Sequence, residues 1–339
     1  MIETKKMRLA LIGAGAIAQT YGQVLEHSPT AKLVGIADVR AAAAQALGER
    51  MGCPTFTSHE ELFRATGCEA AIICTPPVTH PKICCWFLER HVHVLCEKPL
   101  AISPEEASAI VTAAKQSEAT LSMASKFRYA RDVVEAKSIV ASGLIGEIVL
   151  FENAFTSRVD MTSRWNSDPT MSGGGVLIDN GTHSVDIMRH FLGPLIEIQV
   201  VEGRRVQDIP VEDTVRISVK SASGVMGSID LSWSVNKELP HYLSICGSSG
   251  TLHVGWKESK FRRAGDADWT VFGQGYDKIQ AFSSQLDNFV RSIRGQEPAR
   301  ITLDDALASV EVIDAAYDAL WRGSWVSVGS DLSKSLAAA

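Results

Sequence analysis

The segment Gly13-Ala14-Gly15-Ala16-Ile17-Ala18 has the form G-x-G-x-x-A. A strand-like run, Arg8 to Ile12, leads into it, and a helical pattern, Ala16 to Leu25, leads out. In that setting each residue type has a chemical use. Gly13 permits a tight turn, Gly15 lets the backbone approach a pyrophosphate, and small Ala18 lets the helix pack close to its sheet. The helix start at Ala16 and Ile17 then offers N–H groups and a partial positive charge to phosphate oxygens. Asp38 closes the next strand-like run. A carboxylate there can accept both hydrogen bonds of an adenosine ribose diol and repel a 2′-phosphate, so NAD is expected over NADP. Two features keep the alternative open. Asp38 also suits a cap of the following helix, and Arg40 is placed to meet a 2′-phosphate.

The third strand-like run ends in Cys74-Thr75-Pro76-Pro77-Val78-Thr79-His80. Ligands of parallel sheets lie beyond the carboxyl ends of the strands. Thr75 and Pro76 are therefore expected to border the nicotinamide half of the cofactor. His80 reads either as a cofactor contact or as a helix cap.

Positioning these residues requires an alternating pattern, and the first third of the chain has one. Strands are predicted at 8–12, 32–37, 70–74, 92–96 and 120–124. Helices are predicted at 16–25, 40–52 and 81–90, and a further one opens at Ser103, with Glu106 completing a capping box. This alternation predicts an α/β domain with a doubly wound parallel sheet. A helix over 131–142 ends at Gly143. Strand-like runs then dominate: 148–155, 196–202, 214–220, 225–235, 241–246 and 251–256. Tight turns between the last of them predict a largely antiparallel sheet. One helical insertion, about 174–192, interrupts this part, and two helices follow, 276–294 and 303–321. The expected division is a dinucleotide-binding domain over 1–125 and an α+β domain over 126–330. Residues 331–339, rich in small types from Ser333 on, are expected to form a frayed tail.

Composition narrows the function classes. The 339 residues exceed what one core usually holds. Charged residues make up 21%, the net charge is −6, and basic residues form no runs, which argues against nucleic acid as a partner. Seven cysteines without a Cys-x-x-Cys pair indicate neither a disulfide framework nor a zinc cage; buried thiols in a reducing cytoplasm fit better. The apolar run after Lys5, Lys6 and Arg8 is broken by Gly13 and Gly15, so it is not read as a signal peptide. No run reaches the ~18 apolar residues of a membrane helix.

The fourth strand runs into Glu97-Lys98-Pro99. Further on, Trp165-Asn166-Ser167-Asp168-Pro169 leads through Ser172-Gly173-Gly174-Gly175 to Asp179-Asn180-Gly181-Thr182-His183 and Asp186. With the glycine fingerprint, these motifs over about residues 7–328 resemble the Gfo/Idh/MocA oxidoreductases, the family of glucose–fructose oxidoreductase and inositol dehydrogenase. The resemblance implies a Rossmann domain followed by an α+β domain whose open, mostly antiparallel sheet forms an oligomer interface. It implies a catalytic set of Lys98, Asp179 and His183, with Glu97 and Lys98 also beside the cofactor. The residue types agree with that assignment. Asp179 and His183 are four apart and share a face if helical. His183 would take or return the hydroxyl proton, Asp179 would orient it, and Lys98 would stabilise negative charge on the same oxygen. Whether Lys98 or His183 carries the proton stays open. Hydride passes directly to or from nicotinamide C4, so no metal is required.

Further residues are candidates for the site. Arg128 reads either as a cofactor or substrate contact or as a salt bridge, and Asp186 either as a substrate contact or as support for His183. Trp165 is a candidate wall of the cleft, and Tyr242 and His241 belong to the sheet. Many relatives carry arginine where this chain has Asn166. Arg158 and Arg164 would suit an anionic substrate. Gly173 to Gly175 would allow a tight helix start and close substrate approach. The expected function is an NAD(P)-dependent dehydrogenase or ketoreductase acting on a sugar, sugar nucleotide, aminosugar or inositol, in a cytoplasmic homodimer or homotetramer. An NAD-dependent glycosidase of the same fold and a non-catalytic cofactor-sensing regulator are the alternatives.

Overall fold

The structure, a computed structural model, describes residues 5–329, so the expected tail at 331–339 lies outside the described residues. The chain divides into two compact units. One comprises residues up to 126 together with 278–307, the other 127–277 together with those from 308 onward.

The first unit alternates as the pattern requires: β1 (Met7–Ile12), α1 (Ala16–Glu26), β2 (Ala31–Ala37), α2 (Ala41–Met51), β3 (Thr55–Phe56), α3 (His59–Thr66), β4 (Ala70–Ile73), α4 (His80–Leu88), β5 (His93–Glu97), α5 (Pro104–Gln116) and β6 (Leu121–Ala124). Its six strands run parallel in the order β3-β2-β1-β4-β5-β6. Leu9, Leu11, Ile72, Val94 and Leu95 are wholly buried, as strands covered on both faces should be. The order reverses between β1 and β4, and the carboxyl ends of those two strands lead to Gly13 and Thr75. That is the switch point at which doubly wound sheets bind ligands. The pair β3 and α3 was not predicted. The signal for α3 was present: Ser58 caps it, its hydroxyl accepting from the Glu61 N–H at 3.1 Å, a Ser-x-x-Glu start.

The second unit begins with a short 3₁₀ turn, Lys126–Tyr129, and α6 (Arg131–Ala141). It continues through β7 (Ile148–Thr156), α7 (Pro169–Ser172), α8 (Val176–Leu192), β8 (Leu195–Glu202), β9 (Thr214–Ser221), β10 (Met226–Ser232), β11 (His241–Gly247), β12 (Gly250–Gly255), β13 (Ser259–Arg263) and β14 (Thr270–Gly273). After them come α9 (Lys278–Ile293), α10 (Leu303–Arg322) and β15 (Val326–Ser327). The nine strands form one sheet, β14-β13-β12-β11-β7-β10-β9-β8-β15, antiparallel except where β7 pairs with β10. Phe151, Ile217, Val219, Ile229 and Leu231 face α8 and are buried. The opposite face leaves Leu150, Val201 and Met226 exposed. The edge strands β14 and β15 and the neighbouring β13 escaped prediction because β13 is rich in charge (Lys260, Arg262, Arg263) and the other two are short.

The domain span 126–330 needs one correction. Helix α9 belongs to the first unit, where Phe282, Leu286, Phe289 and Val290 join one core with Tyr21, Val24 and Leu25 of α1. An amphipathic stripe announces a buried face but does not name the surface that buries it.

Candidate active site

In the first unit the glycine fingerprint forms the turn it should. Gly13 has φ +94°, and a Cβ there would lie 2.8 Å from the Cys74 carbonyl oxygen, so only glycine fits. Gly15 sits at the N-cap of α1 with no side chain capping the helix, and a Cβ on it would meet no protein atom within 4 Å. Ala16 and Ile17 open the helix. This start therefore presents backbone N–H groups beside open space, the donor set a pyrophosphate needs.

Asp38 ties the fingerprint to β2. Its Oδ2 accepts the Ala14 N–H at 2.8 Å and its Oδ1 accepts the Arg40 N–H at 2.8 Å. Burial by itself would raise this carboxyl. The N–H groups of Ala14 and Arg40, with the Arg40 guanidinium 3.4 Å away, outweigh it and hold Asp38 below the usual carboxylate range. Asp38 is thus an anion that both shapes the helix approach and faces the phosphate loop. Arg40 is mostly exposed and pairs with it loosely.

Three predicted cofactor residues are placed differently from one another. Thr75 and Pro76 lie at the carboxyl end of β4, and the Thr79 hydroxyl donates to Thr75 Oγ1 or to the Pro76 carbonyl, each at 2.7 Å. His80 is a correction. It is wholly buried, with Nε2 2.9 Å from the Thr75 carbonyl oxygen and Nδ1 2.9 Å from that of Pro99. It is not the N-cap of α4, a position Thr79 occupies; it cross-links two strand ends. The cause is the 3₁₀ turn Pro77–Thr79, which delivers the imidazole beneath the loops. Burial pushes that imidazole below its ordinary value, against the pull of the carbonyls of Thr75, Pro99 and Leu100.

Glu97 has its carboxylate engaged inside the protein. Oε1 accepts the Tyr21 hydroxyl at 3.0 Å, which in turn accepts from Gln285 Nε2 at 2.8 Å, and Oε2 accepts the Lys98 N–H at 3.2 Å. Burial pushes Glu97 upward, while the charges of Lys98 and Lys126 and the Tyr21 hydroxyl pull the other way. Lys98 follows at the end of β5, half-buried, on a cis peptide bond to Pro99.

In the second unit, Asp179, His183 and Asp186 fall on one side of α8 at spacings of four and three. Asp179 is half-buried and His183 buried. The edge-on Phe127 ring, 5.1 Å away at 83°, and the Phe155 ring stacked on it, 6.5 Å away, lie on one side of the His183 imidazole. Arg128 is not turned outward for a ligand. It is buried, with Nε donating to Asp186 Oδ2 at 3.0 Å and Nη2 lying 2.7 Å from Oδ1. The same pair ties Asp186 of α8 to the turn before α6. Trp165 is 45% exposed on the loop after β7, and Arg158 and Arg164 on that loop are exposed. The glycines 174 and 175 make their close approach to protein. A Cβ on Gly174 would lie 1.8 Å from the Tyr317 hydroxyl oxygen, and one on Gly175 would lie 2.1 Å from the Glu212 carbonyl oxygen.

Sequence reading missed the polar residues that hold these loops. Asp213 Oδ2 accepts the N–H groups of Val206 and Gln207 at 2.8 and 2.9 Å. The Gln207 amide then holds the Trp165 loop, donating to the Val159 carbonyl at 3.0 Å and accepting from the Met161 N–H at 2.9 Å. Nothing in the local pattern marks Gln207. The adjacent acids Glu212 and Asp213 before a strand were the one visible signal. All seven cysteines are free, and burial pushes Cys53 and Cys68 up to about 11. Among the described residues no group of three His, Cys, Asp or Glu side chains is arranged to hold a metal, and no helix is long and apolar enough to cross a membrane.

Comparison with known proteins identifies both domains. Residues 7–125 match the model of the oxidoreductase family with an NAD-binding Rossmann fold, and residues 133–253 match the GFO/IDH/MocA C-terminal domain. The rhizopine catabolism protein MocA of Rhizobium meliloti is 25% identical over 328 residues, 94% of this chain and 96% of its own. An inositol 2-dehydrogenase of Rubrobacter xylanophilus is 27% identical over 330 residues, 95% of this chain and 93% of its own. Among solved structures, a levoglucosan dehydrogenase in complex with NADH and levoglucosan superimposes with a TM-score of 0.88 at 20% identity, covering 96% of this chain and all of the other.

Proposed function

Since this chain belongs to the Gfo/Idh/MocA family of NAD-binding oxidoreductases, we propose that it moves a hydride between nicotinamide C4 and a ring carbinol or ketone of a sugar, sugar nucleotide, aminosugar or inositol. The observation that carries the reading is α8, on which Asp179 and His183 stand one turn apart with the imidazole set against the stacked rings of Phe127 and Phe155. Relatives named as inositol and levoglucosan dehydrogenases support the substrate class.

The fingerprint residues Gly13, Gly15, Ala16 and Ile17 would hold the pyrophosphate of NAD, and anionic Asp38 the adenosine ribose. Bound NAD supplies the hydride acceptor. His183 takes the hydroxyl proton as the carbinol is oxidised and returns it in the reverse direction, with Asp179 favouring the charged ring. Lys98 donates a hydrogen bond to the carbinol oxygen and stabilises charge developing there. The stacked phenyl rings close one side of the imidazole, which limits the orientations from which it must recruit the productive one. Trp165 is the candidate wall of the substrate site.

The test is reduced-nicotinamide absorbance with NAD and with NADP over a panel of inositols, free sugars, aminosugars and sugar nucleotides, repeated with His183→Ala and Lys98→Ala. Turnover that falls by about 10²–10⁴-fold in His183→Ala supports the role. Turnover untouched in both variants sinks the reading, and sugar release without net NAD reduction would point to hydrolysis instead. We also infer that the open sheet, with Leu150, Val201 and Met226 exposed, is covered by a second copy of the chain. Light scattering should give a dimer or tetramer mass; a stable monomer refutes this.

A further inference from the structure

Helix α8 starts at a glycine, so its first N–H groups have no side chain of the N-cap residue to meet. They are met from a distant point of the chain. One carboxylate oxygen, Glu212 Oε1, accepts the Gly175 N–H at 2.9 Å, the Leu177 N–H at 3.0 Å and the Tyr317 hydroxyl at 2.9 Å. The Glu212 backbone carbonyl accepts the Val176 N–H at 2.9 Å. Glu212 is 5% exposed, and its carboxyl lies at the positive end of the helix macrodipole.

The glycines make this contact possible. Any Cβ on Gly174 or Gly175 would strike Tyr317 or Glu212 respectively, so a side chain at either place would push the helix start away from its cap. Asp179 closes the first helical turn onto the Gly175 carbonyl at 3.1 Å, and His183 stands one turn further. An error in the direction of the first turn is carried along the helix, and a displacement near 1 Å at a reacting group costs on the order of 10²-fold in rate.

We propose that Glu212, held by Tyr317, is a positioning residue for hydride transfer: it caps α8 from outside the helix and sets the orientation of Asp179 and His183. This rests on the reading that those two residues act on substrate. Arg128 anchors the same helix at Asp186, so the reacting pair is bracketed by two remote contacts.

The full chain is compared with Glu212→Ala, Glu212→Gln and Tyr317→Phe. Amide hydrogen exchange over residues 175–183, NAD affinity, and kcat and KM for the best substrate of the panel are measured. Loss of the cap in Glu212→Ala should speed exchange at 175–183 by about tenfold while β9 and β10 stay as they were. It should lower kcat by about tenfold or more and leave NAD affinity within about twofold. Glu212→Gln keeps the acceptor oxygen and should restore slow exchange and most of kcat. Exchange and kcat unchanged in Glu212→Ala overturn the proposal, and so does a Glu212→Gln variant as impaired as Glu212→Ala. A fall in NAD affinity in step with kcat overturns it too. If Glu212→Ala does not fold, Tyr317→Phe decides: exchange about threefold faster at 175–183 is expected, and unchanged exchange refutes the proposal. Should His183→Ala prove fully active, the functional reading fails while the exchange result still tests the cap.

Discussion

Arg128 and Asp186 meet in a buried two-pronged ion pair, Nε to Oδ2 at 3.0 Å and Nη2 to Oδ1 at 2.7 Å. The guanidinium comes from the 3₁₀ turn before α6 and the carboxylate from α8, one turn beyond His183. Removing one partner leaves the other charge buried, whereas replacing both by apolar groups of similar size removes the problem. Arg128→Ala should therefore lose about 3–5 kcal/mol of stability, and Arg128→Met combined with Asp186→Leu much less. Urea unfolding of the two variants checks this. Equal losses would mean that the pair acts through packing and not through charge.

Cofactor choice should turn on Asp38. Its anion shapes the phosphate loop through Ala14, so its loss carries a penalty with either dinucleotide. Only NADP gains from the removal of the negative charge, and Arg40 then becomes available to a 2′-phosphate. Asp38→Ser should raise the ratio of kcat/KM for NADP over NAD by at least about tenfold, roughly the worth of one charge contact. An unchanged ratio would place the ribose elsewhere.

The His80 cross-link makes a pH prediction. Its folded value lies below the unfolded one near 6.5. A group shifted this way holds its proton more tightly in the unfolded chain, so protonation works against the fold as pH falls below about 6.5 and through the folded value. His80→Asn should lose stability at pH 7.5, and the gap to the parent should narrow toward pH 5. Melting temperatures of both proteins across that range test it. A gap that widens on acidification would reverse the sign of the shift.

Glu97 should show the opposite trend. Burial raises its folded value above the unfolded one near 4.3, so its contribution is fully present below that pH and is lost as pH rises through the folded value. Glu97→Gln keeps an oxygen for the Tyr21 hydroxyl and carries no charge. The variant should match or exceed the parent's melting temperature at pH 8 and lose any advantage near pH 4. A variant markedly less stable at pH 8 would show that attraction to Lys98 and Lys126 outweighs the burial.

What the sequence determined by itself was whatever depends on near neighbours. The glycine fingerprint follows from a strand, a turn and a helix in succession. The common face of Asp179 and His183 follows from helical spacing. The alternation of strands and helices fixed the first sheet as parallel. Tertiary structure decided everything that rests on distant pairs. It turned His80 into a cross-link between two strand ends and drew Glu97 inward to Tyr21 and Gln285. It joined Arg128 to an aspartate 58 residues away, and capped α8 with a glutamate 35 to 37 residues beyond the N–H groups it accepts from. It also assigned α9 to the first core. The physical reason is common to all of these. A local pattern states which backbone groups and apolar faces must be satisfied, but the partner that satisfies them is chosen by the packing of the whole chain, where a buried donor or carboxylate left unmet would cost more than the fold can spare.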